Sequence, residues 1–111
     1  MKNNVIRGIT TLLTIILTAT LGRIQYGSHT ETWYDLPMHN IVQRAADNGI
    51  YGDYWERADG CKMYGKFIIC AGAPERYGEV IETSRGLGII LDTGDYVKTN
   101  PTAIDMAVTW E

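Results

Sequence analysis

Basic residues are scarce in most of this 111-residue chain, and they are not gathered into a stripe. The formal net charge is −3, and Lys2, Arg7 and Arg23 are the only charged residues up to position 23. Because those three carry +3, the rest of the chain carries a formal charge of −6. An acidic body of this kind offers no surface that follows a phosphate backbone, which excludes a nucleic-acid-binding function.

Cysteine is also scarce, since Cys61 and Cys70 are the only two in the chain. Their spacing does not suit a zinc site, no histidine neighbours them, and neither a metal site nor a cofactor is predicted. An unbroken strand over residues 61–70 would hold the two thiols roughly 30 Å apart, whereas a chain reversal at Gly65 would let them face each other. Free thiols are the favoured interpretation, with a disulfide as the alternative.

Charge is absent from residues 8–22, an apolar stretch that follows Lys2 and Arg7 and ends before Arg23. A positive segment followed by an apolar run of this length is typical of a secretory signal. At about 1.5 Å per residue, such a helix falls short of a hydrocarbon core of about 30 Å. We therefore predict an exported protein, either secreted or anchored at the outer face of the cytoplasmic membrane or cell wall. Cleavage of residues 1–23 and their retention as a membrane anchor both stay open.

A single domain is expected over residues 35–111, after a linker over residues 24–34. The domain begins with one predicted helix. Asp35 is a capping residue type, Pro37 suits a first turn, and Asn48–Gly49 is a helix stop. Between them, apolar residues recur at helical spacing in one stripe, at Met38, Ile41, Val42 and Ala45. We therefore expect a short helix of about 11 residues that packs through this stripe.

Short runs of β-branched and aromatic residues, separated by breaks that contain glycine, follow Gly49. Strands are predicted at residues 66–70, 79–83, 89–91 and 103–110. Closely spaced short strands with turn residues between them are typical of a small barrel or sandwich. The chain has no internal repeat and no low-complexity tract, so a mainly β domain is the expected fold class.

Asp92-Thr93-Gly94 is the sharpest local motif, and it follows three aliphatic residues. In an aspartic protease such a turn carries one carboxylate of a shared pair, and two copies meet across a dimer. Only 17 residues follow Gly94, too few for the flap and the second strand pair that must come after the catalytic turn. A homodimeric aspartic protease is therefore the weakest hypothesis. The Asp92 carboxylate can also simply bond N–H groups within its own turn.

The order of motifs after Cys61 resembles the 3D (three-aspartate) domain family, which is related to membrane-bound lytic transglycosylase A and to stationary-phase survival proteins. The motifs that carry the resemblance are Lys66–Ala71, Tyr77–Thr83, Gly86–Gly94 and Ile104-Asp105. Together they cover roughly residues 61–110. The resemblance implies a six-stranded double-psi β-barrel with one short helix before it and with aspartates gathered in a groove on one side.

The same resemblance implies a function, cleavage of peptidoglycan glycan strands by a lytic transglycosylase reaction that uses one carboxylate as acid and base. The protein is expected to act as a monomer. The role of acid/base maps onto Asp105. Asp92 maps onto the neighbouring carboxylate that orients Asp105 or disfavours its ionisation, and Thr93 and Gly94 belong to the substrate-binding turn.

One departure from the family pattern bears on activity. The first of the three aspartates is expected just after the strand that ends at Cys70-Ala71, but the chain has Gly72-Ala73-Pro74 there. Glu75 follows and is the candidate to replace the absent carboxylate in substrate binding. The alternative hypothesis is therefore a catalytically inactive 3D barrel that binds glycan or serves as a structural module of a wall or a phage.

Overall fold

A computed structural model describes residues 23–110. The described elements, in chain order, are β1 (Ile24–Tyr26), β2 (His29–Tyr34), α1 (His39–Asp47), β3 (Tyr54–Glu56), β4 (Lys62–Tyr64), β5 (Phe67–Ala71), a 3₁₀ helix (Pro74–Arg76), β6 (Val80–Thr83), β7 (Gly86–Asp92), α2 (Asp95–Thr99) and β8 (Ile104–Ala107). The mainly β prediction is confirmed. Apart from Arg23, the predicted signal or anchor segment lies outside the described residues. Within residues 23–110, no helix has the length and apolar character needed to cross a membrane.

The eight described strands join one open, mixed sheet. The hydrogen-bonded path runs β1-β2-β8-β5-β4-β3, and β7 pairs with both β5 and β6. Two pairs are parallel, β2 with β8 and β5 with β7, whereas all the other pairs of named strands are antiparallel. The described sheet therefore has eight strands instead of the expected six. β5 is its central strand, because β7 pairs with it along most of its length while β4 and β8 pair with its two ends.

Residues 24–34 form strands, so the predicted linker is wrong. Gly27, at φ +58°, turns the chain between β1 and β2, which pair antiparallel. β2 then adds to the sheet by pairing in parallel with β8. Threonine, tryptophan and tyrosine dominate residues 30–34, and such β-branched and aromatic side chains favour a pleated, half-buried surface.

The predicted helix is α1, although it begins at His39 and the Asp35 side chain does not cap it. The Asp35 carboxylate instead accepts a hydrogen bond of 2.6 Å from the ammonium group of Lys62. Gly49, at φ +81°, lies just beyond the last turn, which confirms the predicted stop. The apolar stripe packs as expected: Met38, Ile41 and Ala45 are buried, and Val42 is partly buried against them.

Two apolar clusters cover the two faces of the central strands. β5 contributes Ile69 to the cluster beneath α1, and Ile68 and Cys70 to the cluster on the opposite face. β7 alternates in the same way, with Ile89 and Leu91 beneath α1 and Ile90 opposite. Because both faces are buried, the strands read as continuous apolar runs and not as an alternation of apolar and polar residues.

Both cysteines are buried free thiols. Gly65, at φ +60°, does reverse the chain between β4 and β5. Cys61 forms a bridge with Val108 and Cys70 pairs with Met106, so both cysteines lie on the side of the last strand away from β2 and pack in one apolar cluster.

Candidate active site

The end of β5 brings the two predicted catalytic aspartates together. Ala71, the last residue of β5, lies opposite Asp92 across the parallel ladder to β7 and opposite Asp105 across the antiparallel ladder to β8. Neighbouring strands are about 4.8 Å apart, so the two aspartate backbones are separated by roughly 10 Å. A register shift after Cys70 places Asp92 opposite Ala71. The small methyl side chain between the two aspartates leaves open space above the sheet.

Strand β2 supplies a hydroxyl group to each aspartate. The Thr32 hydroxyl donates to Asp105 Oδ1 at 2.8 Å, and the Tyr34 hydroxyl donates to Asp92 Oδ2 at 2.8 Å. Thr32 and Tyr34 are two residues apart on one strand, so their side chains lie on the same face of the sheet. The segment predicted as a linker therefore contributes two polar groups to the site.

The Asp92-Thr93-Gly94 turn holds Asp92 from the other side. Asp92 Oδ1 accepts a hydrogen bond from the Thr93 backbone N–H at 2.8 Å, so both carboxylate oxygens have donors. This local bond is the turn-stabilising role expected of an aspartate in a tight turn, and it coexists with the contact to Tyr34. The Thr93 hydroxyl is buried and has no hydrogen-bond partner among the described residues, an arrangement that costs free energy.

A cavity of about 220 Å³ opens over the two carboxylates, and we call it the aspartate cavity. It is lined by Tyr34, Leu36, Ala71, Asp92, Thr93, Gly94, Asp95, Tyr96, Val97 and Asp105. Helix α2 and the turn before it form one wall, and the ends of β2, β5 and β8 contribute the other lining residues. Four of the five predicted site residues thus line one cavity: Asp92, Thr93, Gly94 and Asp105.

Burial raises the pKa of the Asp105 carboxyl above its ordinary value, and the nearby charge of Asp92 raises it as well. The hydrogen bond from Thr32 acts in the opposite direction, because it stabilises the carboxylate form. Burial also raises the pKa of the Tyr34 hydroxyl, and Asp92 adds to that effect, so Tyr34 is a neutral hydrogen-bond donor. The cavity is therefore lined by one carboxyl group whose pKa is raised, that of Asp105, together with the carboxyl groups of Asp92 and Asp95.

Glu75 is not brought to this site. It lies on the 3₁₀ helix, its side chain is exposed, and it does not line the aspartate cavity. At this point of the chain, the Gly72 N–H donates to the backbone carbonyl oxygen of Asp92 at 3.0 Å. Within residues 23–110, no third carboxylate stands in the place expected for the first aspartate of the motif, and no cluster of three metal-ligating side chains occurs.

A second cavity, of about 260 Å³, adjoins the first and shares Asp92 and Thr93 with it. We call it the arginine cavity, since Arg44 of α1 lines it together with Asn48, Pro74 and Tyr77. Asp92 and Thr93 therefore line both cavities, and we call this pair of residues the shared ridge.

Sequence reasoning missed Thr32, Tyr34 and Ala71. The composition of residues 30–34 is a usable signal for a strand, and its alternation places Thr32 and Tyr34 on one face. Nothing local, however, pairs that strand with β8 or places Ala71 between the two aspartates.

Comparison of the chain with protein-family models, with curated proteins and with solved structures found no significant match.

Proposed function

We propose that this protein is a peptidoglycan-active enzyme of the lytic transglycosylase type, with Asp105 as its acid/base and Asp92 as the neighbour that adjusts it. The observation that carries the proposal is the aspartate cavity itself. Burial and the charge of Asp92 favour the protonated form of Asp105 at the wall of an open cleft. A raised pKa increases the protonated fraction of a carboxyl group near neutral pH, and acid catalysis of glycosidic cleavage uses that protonated form.

The reaction needs no water, because the sugar supplies its own nucleophile. Protonated Asp105 gives its proton to the glycosidic oxygen, and the bond between that oxygen and C1 breaks. The resulting carboxylate takes the proton of the 6-hydroxyl on the same sugar while O6 bonds to C1. The products are a 1,6-anhydro end and a new hydroxyl on the other fragment, and Asp105 is protonated again. One carboxyl serves both steps, whereas ordinary glycoside hydrolysis uses two.

The hydroxyl groups of β2 suit this cycle. Thr32 donates to Asp105 at 2.8 Å and stabilises the carboxylate that exists between the two proton transfers. Tyr34 and the Thr93 N–H hold the Asp92 carboxylate from two sides, so its charge stays at a constant position beside Asp105.

The finer fold assignment belongs to the same proposal. Two parallel strand pairs and a central β5 shared by β4, β7 and β8 are compatible with an elaborated double-psi barrel. We further propose that the protein is exported and acts on glycan strands at the outer membrane face or in the wall, as a monomer and without a cofactor.

The test is incubation of the full-length protein with purified Gram-positive peptidoglycan, followed by mass spectrometry of the soluble products. We expect 1,6-anhydro products from the parent and at least a 100-fold loss with Asp105→Asn, the low end for removal of a general acid/base. Asp53→Asn is the matched control, because Asp53 is exposed and lines neither cavity. Hydrolytic products without an anhydro end, or full activity in Asp105→Asn, would contradict the mechanism.

The second candidate is a glycan-binding or structural module without catalysis. The absence of a carboxylate at residues 72–74, together with the exposed position of Glu75, favours it. Cosedimentation of the protein with peptidoglycan, with no soluble products from either the parent or Asp105→Asn, would select this alternative.

A further inference from the structure

The arginine cavity carries a positive group that the proposed reaction does not use. Arg44 lies on α1 and Asn48 directly follows its last residue, four positions further on, so the two side chains lie on the same side of the helix end. The neighbouring face, with Ile41 and Ala45, packs onto the sheet and fixes the helix in place. Tyr77 completes the wall, and its hydroxyl oxygen accepts a long hydrogen bond of 3.4 Å from the Asn48 amide.

The guanidinium group of Arg44 is available to a ligand. In the part of the chain that the structure describes, it makes no hydrogen bond and no ion pair, although Asp92 lines the same cavity. Among the other arginines, Arg57 pairs with Asp59 and Arg76 pairs with Glu79. Arg85 lies over the Trp33 ring and donates to the Cys61 sulfur. A planar guanidinium with free donors matches a carboxylate, which it binds through two parallel hydrogen bonds.

The aspartate cavity and the arginine cavity differ in charge. The aspartate cavity is lined by three carboxyl groups, those of Asp92, Asp95 and Asp105, and by no cationic side chain. The arginine cavity has Arg44 as its cation and Asp92 on the shared ridge as its one carboxylate. A ligand that spans the shared ridge is therefore favoured if it places neutral, hydroxyl-rich groups in the aspartate cavity and an anionic group in the arginine cavity.

We infer that the arginine cavity is a subsite for a carboxylate of the substrate, held by Arg44 with Tyr77 and Asn48 as polar neighbours. The inference rests on the proposed function and makes it more specific: the preferred strand carries an acidic substituent beside the bond that is cleaved. In peptidoglycan such a carboxylate belongs either to the lactyl group of the muramic acid unit or to the peptide attached to it.

The test measures binding to the full-length Asp105→Asn protein by calorimetry, so that turnover does not interfere. The probes are neutral N,N′-diacetylchitobiose (chitobiose below), the N-acetylglucosamine–N-acetylmuramic acid disaccharide with a free lactyl carboxylate, and the same disaccharide carrying an Ala–Glu dipeptide, in which the lactyl carboxyl is an amide. We expect at least one acidic probe to bind about tenfold more tightly than chitobiose, since an exposed charge-assisted pair contributes at the low end of its range.

The variant Arg44→Gln, made in the Asp105→Asn protein, is expected to abolish that preference and leave chitobiose binding unchanged. Lys66→Gln is the matched control, because it removes one exposed positive charge that lines neither cavity. Loss with the lactyl probe assigns the subsite to the lactyl carboxylate, and loss with the dipeptide probe alone assigns it to the peptide.

Two results overturn the inference: absence of any preference for the acidic probes, or an equal loss of chitobiose binding in Arg44→Gln. The proposed function fails separately. If the acidic preference depends on Arg44 but the parent releases no anhydro products, the subsite stands and the transglycosylase reaction does not. If anhydro products form without an Arg44-dependent preference, the reaction stands and the subsite does not.

Discussion

Replacement of Thr32 by valine removes one hydroxyl group from the site while the side chain stays β-branched. In the parent, that hydroxyl donates to the half-buried carboxylate of Asp105 at 2.8 Å. A hydrogen bond to a charged group contributes about 1.5–3 kcal/mol, and partial exposure of the carboxylate favours the low end. We therefore expect Thr32→Val to lower the free energy of unfolding at pH 7 by about 1.5 kcal/mol, or to lower Tm by about 6–12 °C for a domain of this size.

The loss should depend on pH. Folding raises the pKa of Asp105, so the folded state binds more protons than the unfolded state between the unfolded-state pKa of about 3.9 and the raised value. Stability from this group therefore falls as pH rises through that window. Without the Thr32 donor the folded-state pKa rises further, so the fall becomes larger. The destabilisation by Thr32→Val should accordingly be smaller near pH 4, where a larger fraction of folded Asp105 is protonated, than at pH 7.

The assay is urea denaturation of the parent and the variant at pH 7 and near pH 4. Thr30→Val is the matched control, since the Thr30 hydroxyl donates to Gln25, a neutral partner at the exposed hairpin. The control should change stability by less than about 0.5 kcal/mol and equally at both pH values. If Thr32→Val destabilises equally at pH 7 and pH 4, or not at all, the assignment of Thr32 as the donor that stabilises ionised Asp105 is refuted.

Two further predictions concern the core. Gly88→Ala should destabilise the fold by about 1–3 kcal/mol, because a Cβ atom there would lie 2.7 Å from the Cys70 sulfur. In urea unfolding, the Gly88→Ala, Cys70→Ala double variant should recover part of the lost stability. Strictly additive losses from the two substitutions would argue against the contact. Burial raises the pKa of the Cys70 thiol and also that of Cys61, so both should resist a thiol-specific reagent in the native protein and react in guanidinium. Rapid labelling of both thiols in the native protein would contradict their burial.

Several elements could be predicted because their causes lie within a few residues. The stop of α1 depends on Gly49, whose positive φ suits a helix end, and the buried face of the helix follows from the spacing of Ile41 and Ala45. The central strands β5 and β7 follow from apolar runs too short for a helix. The helix start was misplaced, since Asp35 binds Lys62 on β4 and so does not cap α1.

The strands β1 and β2 could not be predicted in the same way. β2 is stabilised by parallel pairing with β8, and the bond between Thr32 and Asp105 joins residues 73 positions apart. A short strand without its partner lacks the hydrogen bonds that stabilise it, so its local sequence is equally compatible with a strand and with an extended linker.

The sequence by itself determined the chemistry available to this protein: an acidic body, two aspartates in short motifs near the C-terminus, and apolar runs sufficient for a mainly β core. Only the tertiary structure decided which groups meet. Pairing of β5 with both β7 and β8 placed Ala71 between Asp92 and Asp105, and pairing of β2 with β8 brought Thr32 to the site while Glu75 stayed outside it. The physical reason is that strand register is set by hydrogen bonds between distant segments, and register determines which side chains share a face and change one another's pKa.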